Sequence, residues 1–256
     1  MLVVNCYGRQ NRIYHNHAFH AKASSDFFHF AILAALRENI AMYKTVADPL
    51  ILFTEVIARI LIALYTMAAP ELKHISSADY LALERASKEK HELFQGKITA
   101  MAGASLAHNE IVSNLIIKTG NFLRGKGCRI YTSDLRVYIP TSESFTYPDA
   151  TIICGKPEMV DDKQDTVKNP TVIIEVMSPS TEQNDRGAKF FNYMQIPSLK
   201  EYLLISSTTV FAQSARKQAD NSWKFDELKS LNDTLAITSV DHEISLKEIY
   251  ENVVFG

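Results

Sequence analysis

The sequence has no surplus of positive charge. Lys and Arg number 27 against 29 Asp and Glu, for a formal net charge of -2. That balance excludes a chain that is basic throughout, the usual electrostatic footprint of a nucleic-acid binder. A nucleic-acid enzyme of this composition would carry carboxylates at its site and only a local basic rim. Cysteine is scarce. Cys6, Cys128 and Cys154 are odd in number and lack the spacing of a metal site. Cys128 and Cys154 fall in strand-like runs, so the expectation is buried free thiols in a reducing, cytoplasmic compartment. A cleavable signal peptide is missing, because the short apolar run after Met1 gives way to Gly8-Arg9-Gln10-Asn11-Arg12. There is no internal repeat and no low-complexity tract. The apolar run 49–66 approaches the length of a membrane span. Glu55 and Arg59 lie inside it at helical i,i+4 spacing and are costly in a bilayer, so a packed or interfacial helix is expected and no firm membrane partner.

What is present suits a globular chain. Its 256 residues are 46% hydrophobic and 22% charged, enough for a sizeable core in one large or two small domains. Residues 1–66 differ in texture from the rest. They hold His15, His17, His20 and His29, which lack acidic or cysteine partners and are not read as a metal site. They also hold two helix-like runs, 27–43 and 49–66. They are set apart as an N-terminal extension, helical or lying ahead of the start in use at Met67. The expectation is one domain from Met67 to residue 256.

Within it, Ser76 or Ser77 caps a helix over Ala78–Ser87, and Gln95-Gly96 turns a hairpin whose first arm carries Glu92. Ser105 caps a long helix from Leu106 to Leu123 with an apolar side, ended by Gly125 and Gly127. CRIYTSDLRVYI, 128–139, reads as one strand bulged at Ser133-Asp134. Arg124, Lys126, Arg129 and Arg136 form a modest basic cluster. Ser180 and Gln183 have the form of a capping box for a helix to Met194. Strands follow at 201–206, 210–216, 223–225 and 235–238, with a closing helix at 244–250.

Two runs stand out. Ala150–Cys154 and Thr171–Met177 have the length and β-branched content of buried strands, and each carries one acid, Asp149 and Glu175. A buried charge is costly without a partner or a metal. Asp149 precedes its apolar run and Glu175 lies late in its own, so antiparallel neighbours would bring the acids together. Asp185, Lys189 and Tyr193 fall at i, i+4 and i+8 and share one helix face. Two carboxylates with a nearby amine suit metal-assisted phosphodiester hydrolysis, in which Mg²⁺ takes a few carboxylate oxygens and keeps waters. Asp149 read alone could equally cap the turn after Pro148.

Pro148-Asp149 followed by Glu175-Val176-Met177 resembles the PD-(D/E)xK nuclease superfamily. KHELFQGKITAMAGAS, HNEIVSNL, YPDATII, PTVIIEVMSPST and EYLLIS, in that order, resemble the Uma-type "putative restriction endonuclease" family across about Ile75 to Tyr250. The resemblance implies an α/β restriction-endonuclease-like fold, with an αβββαβ core and a mixed sheet flanked by helices. It implies a DNA substrate and a divalent cation, Mg²⁺ or else Mn²⁺, and allows a homodimer. Asp149 and Glu175 match its metal ligands, and Glu92 matches an early acid that would act as a third ligand or through water. The lysine position of the motif holds Met177, and Lys189 matches the helix-borne lysine that similar families use instead. His108 and Tyr193 are candidates for substrate contact; read alone, His108 could equally support the start of its helix, and Tyr193 could be a core or rim aromatic. The alternative implied by Met177 is a nucleic-acid-binding or interaction module on a nuclease fold that no longer cuts.

Overall fold

The structure, a computed structural model, describes residues 74–255. The expectations for residues 1–66, including the histidines, Cys6 and both early helices, lie outside the described residues. Contacts divide the chain between Glu71 and Leu72.

The described part opens with α1 (Ser77–Ala86), whose N-cap Ser76 accepts the Asp79 N–H on its hydroxyl. The hairpin β1 (His91–Phe94) and β2 (Lys97–Ala100) follows. Its two turn residues, Gln95 and Gly96, have φ of 48° and 80°, the left-handed pair that a tight hairpin demands. Helix α2 (Leu106–Leu123) is capped by Ser105 as expected. After it come β3 (Cys128–Thr132), β4 (Arg136–Ile139), β5 (Ser144–Thr146), β6 (Ala150–Cys154), β7 (Thr166–Val167) and β8 (Val172–Met177). The next helix is built in three pieces: α3 (Glu182–Asn184), a π-helical turn (Asp185–Lys189) and α4 (Phe190–Tyr193). Strands β9 (Glu201–Ser206), β10 (Ala212–Lys217), β11 (Trp223–Leu228), β12 (Thr234–Ile237) and β13 (His242–Ser245) lead to the short α5 (Leu246–Ile249).

The main sheet has six strands in the order β11-β10-β9-β8-β6-β3. β3, β6 and β8 are antiparallel neighbours, and β9 runs parallel to β8 after the helical crossover. Read along the chain, α2, β3, β6, β8, the helix and β9 make the αβββαβ core. Alternation along β8 assigns its faces. Val172, Ile174 and Val176 pack with Ile111 and Leu115 of α2, whereas Ile173 and Met177 pack with Tyr193, Ile196 and Leu199. Glu175 therefore faces the same side as Ile173 and Met177, beneath the helix that carries Lys189.

A second, five-stranded sheet, β2-β1-β5-β4-β7, was not foreseen. Residues 128–139 are not one bulged strand: the chain turns at Ser133-Asp134 and passes from the main sheet to the second one. The Ser180–Gln183 capping box does not form, and the helix starts at Glu182 without a side-chain cap. A full capping box occurs at Ser245 and Glu248 instead. Nor are Cys128 and Cys154 free thiols. The register sets them opposite one another at the end of the β3–β6 pair, and they form a disulfide. Among the described residues no helix is long and apolar enough to cross a membrane.

Candidate active site

The β6–β8 register pairs Ala150 with Ile174. Continued by one residue, it places Asp149 across from Glu175 on one face at one end of the sheet. The pairing is fastened by a hydrogen bond in which Val176 N–H donates to Asp149 Oδ2 over 2.7 Å. Pro148 precedes Asp149, but the carboxylate reaches the neighbouring strand rather than capping a turn.

Helix and hairpin complete the cluster. Lys189 Nζ lies 3.3 Å from Glu175 Oε1, 3.1 Å from Glu92 Oε1 and 3.8 Å from Asp185 Oδ1. Tyr193 OH donates to the same Glu175 oxygen over 2.9 Å. Tyr147 N–H donates to Glu92 Oε1 over 3.0 Å. His108 Nε2, on the first turn of α2, stands 3.2 Å from Asp149 Oδ2. Asp149, Glu175, Lys189, Glu92, His108 and Tyr193 thus meet at one place. Asp185 joins them as a fourth carboxylate. Its spacing from Lys189 was visible in the sequence, yet a helical i,i+4 acid reads first as a surface ion pair.

Met177, at the motif's lysine position, is a core residue at 3% exposure. The π-helical turn brings a different amine to the same acids. A π turn inserts one residue into the helical repeat, and such turns recur at functional sites. Tyr193 is fully buried and its hydroxyl donates to Glu175, so it holds that acid in place. His108 likewise contacts Asp149. Arg136 leaves the expected basic cluster: it is buried against Asp165, Thr166 and Tyr147. Arg124, Lys126 and Arg129 stay exposed, but at the end of the β3–β6 pair remote from Asp149.

Burial pushes the Glu175 carboxyl up to about 8; Lys189 opposes the rise, and Asp149, Asp185 and Glu92 add to it. Burial also raises Asp185, against the pull of Lys189. Burial alone would lower the Lys189 amine, but Glu175, Glu92 and Asp185 outweigh it and hold the amine above the ordinary lysine value. Lys189 is therefore an ammonium. Three carboxylates, Glu175, Glu92 and Asp185, face this buried cation, and Asp149 lies beside Glu175.

The donor set fits magnesium. Asp149 Oδ1 and Glu175 Oε2 accept no hydrogen bond from the described residues, whereas their partner oxygens do. Two carboxylate oxygens with waters match what Mg²⁺ takes. Among the described residues no three or more His, Cys, Asp or Glu side chains are arranged to hold a metal ion together, so the cluster offers a two-carboxylate site and not a three-ligand one. Glu92 Oε1 is already committed to Tyr147 N–H and Lys189.

A sequence model of the Uma2 family, described as "Putative restriction endonuclease", matches residues 77–247. The chain belongs to the Uma2 family. Two Synechocystis proteins are similar along nearly their whole length. One, slr1290, is 36% identical over 183 residues, 71% of this chain and 94% of its own. The other, sll1609, is 37% identical over 166 residues, 65% of this chain and 94% of its own. Both carry the description "Uncharacterized protein". A crystal structure of "a putative nuclease belonging to DUF820" from Anabaena variabilis superposes with a TM-score of 0.59 at 15% identity, over 70% of this chain and 99% of that one. At that identity the likeness establishes the fold, which is restriction-endonuclease-like. The Uma2 match spans every residue of the acidic cluster, from Glu92 to Tyr193.

Proposed function

We propose that the protein is a divalent-cation-dependent nuclease that hydrolyses DNA phosphodiester bonds, with Mg²⁺, or Mn²⁺ in its place, held by Asp149 and Glu175. One observation carries this reading: the two acids lie opposed across β6 and β8, each with an oxygen free of described hydrogen-bond donors, beside a buried ammonium. Membership of the Uma2 family supports it.

When bound, the cation supplies an activated water and neutralises charge on the phosphoryl group. The chain supplies the rest. Lys189 is protonated, so it stabilises negative charge building on the phosphoryl oxygens and does not take the proton from water. Tyr193 fixes Glu175, and the Val176 N–H and His108 fix Asp149, each through one oxygen, so the other oxygen of each would be available to hold the cation. Asp185 and Glu92 keep Lys189 charged and aimed.

The test is nicking of supercoiled plasmid by the full chain, with magnesium or with chelator. Wild type should cut only with magnesium, and Asp149→Ala and Glu175→Ala should not cut at all. Cleavage by either folded variant, or by wild type in chelator, would refute the assignment.

A further inference from the structure

Glu84 is an acid on α1, outside the core of the fold, and is buried to 6% exposure. A carboxylate in that position needs several donors. It has them from two segments. His91 N–H donates to Glu84 Oε1 and Oε2 at 3.0 and 3.1 Å, and the His91 ring Nδ1 lies 3.0 Å from Oε2. Tyr147 OH donates to Oε1 over 2.8 Å. Each of these segments delivers one acid to the site. His91 immediately precedes Glu92, and Tyr147 precedes Pro148-Asp149.

The contacts close into a ring. Glu84 holds His91; the chain passes to Glu92; Glu92 accepts the Tyr147 N–H; and the Tyr147 hydroxyl returns to Glu84. Tyr80 OH adds a bond to the His91 carbonyl at 2.5 Å, and Arg136 stands 3.3 Å from the Tyr147 hydroxyl. The effect of the ring is to set β1 against the approach to β6, which fixes where the Glu92 carboxylate meets Lys189.

We infer that Glu84 is a positioning residue: through His91 and Tyr147 it sets Glu92 against Lys189 and so shapes the cation-holding end of the site. This rests on the nuclease reading for its consequence, but the placement of Lys189 can be followed without any reaction. Outer partners that orient the residues of a metal site commonly change metal affinity about 10–100-fold when removed.

The experiment uses the full chain as wild type, Glu84→Ala and Tyr147→Phe, with thermal melts to identify folded protein. Two quantities are read: the side-chain amine resonance of Lys189 in ¹⁵N-lysine-labelled protein without metal, and Mg²⁺ affinity by calorimetry. The expected result is a shifted, faster-exchanging Lys189 amine in both variants and Mg²⁺ affinity about tenfold weaker. An unchanged amine resonance in a folded variant overturns the inference, even where the melting temperature falls, because support of the fold alone would lower stability and leave the amine as it was. Should Glu84→Ala not fold, Tyr147→Phe decides, since it removes one hydroxyl and keeps the N–H to Glu92. Should wild type bind no Mg²⁺, the nuclease reading fails while the amine resonance still decides the role of Glu84.

Discussion

Lys189 Nζ and Glu175 Oε1 lie 3.3 Å apart, although one belongs to a helix and the other to an interior strand of the main sheet. Under the proposed reading, the pair takes the place of the acid and lysine of the superfamily motif. Its geometry explains why Met177 can be given over to the core.

Removing the amine should therefore do more than abolish cleavage. Lys189→Met leaves Glu175, Glu92 and Asp185 close together with no ammonium among them. Breaking a buried pair by deleting one partner costs about 3–5 kcal/mol, because the other charge stays buried. The variant should melt well below wild type without metal and should regain more stability than wild type on adding Mg²⁺. Thermal melts with and without magnesium check this. Equal melting of the two proteins would mean that the cluster is not held together by Lys189.

Glu175 makes stability depend on pH in a stated direction. Its carboxyl rises from 4.5 to about 8 on folding, chiefly through burial. The folded form then holds the proton more tightly than the unfolded form, so metal-free stability falls as pH rises from about 4.5 to about 8 and changes no further above that. Glu175→Gln removes this loss. In chelator the variant should gain on wild type across that interval, on the order of 1 kcal/mol per pKa unit. Denaturant titrations near both ends of the interval measure it, and a constant difference would contradict it.

Asp165 works with the opposite sign. Arg85 holds it by a 2.8 Å bond and Arg136 by another, and these keep its carboxyl well below the usual range. Its contribution is complete above the unfolded value near 4 and is lost as pH falls below it. Asp165→Asn should cost about 1–2 kcal/mol at neutral pH, discounted because Asp165 is a third exposed. The gap to wild type should close in acid. A gap that persists there would place its origin in packing rather than charge.

Much of the site was legible because its parts obey short-range rules. A single acid in each of two β-branched runs marked Asp149 and Glu175, and helical spacing marked Lys189 with Tyr193. The helix starts at Ser76 and Ser105 were legible from their caps. What escaped depends on long-range pairing. The short strands of the second sheet have little pattern of their own, and the turn at Ser133-Asp134 looks like a bulge until β4 is seen beside β5. Glu84 reads as an ordinary helix residue, since its donors lie 7 and 63 positions away. Asp185 reads as a surface partner of Lys189.

The disulfide belongs with these long-range facts, and it makes the last prediction. Cys128 and Cys154 are 26 positions apart and become neighbours only through the β3–β6 register. The backbone N–H of Cys154 bonds to Thr171 Oγ1 on the far side, so the two cysteines form a non-hydrogen-bonded pair, the kind whose side chains come closest. Denatured protein should titrate two more thiols after reduction than before. Closing a loop of this length stabilises by about 2–4 kcal/mol through the unfolded state. Cys128→Ser should therefore be less stable than wild type by about that amount in oxidising buffer. In reducing buffer the two should match, because the reduced wild type has lost the same constraint. An equal thiol count before and after reduction would show instead that the cysteines stand as free thiols in the edge strand pair.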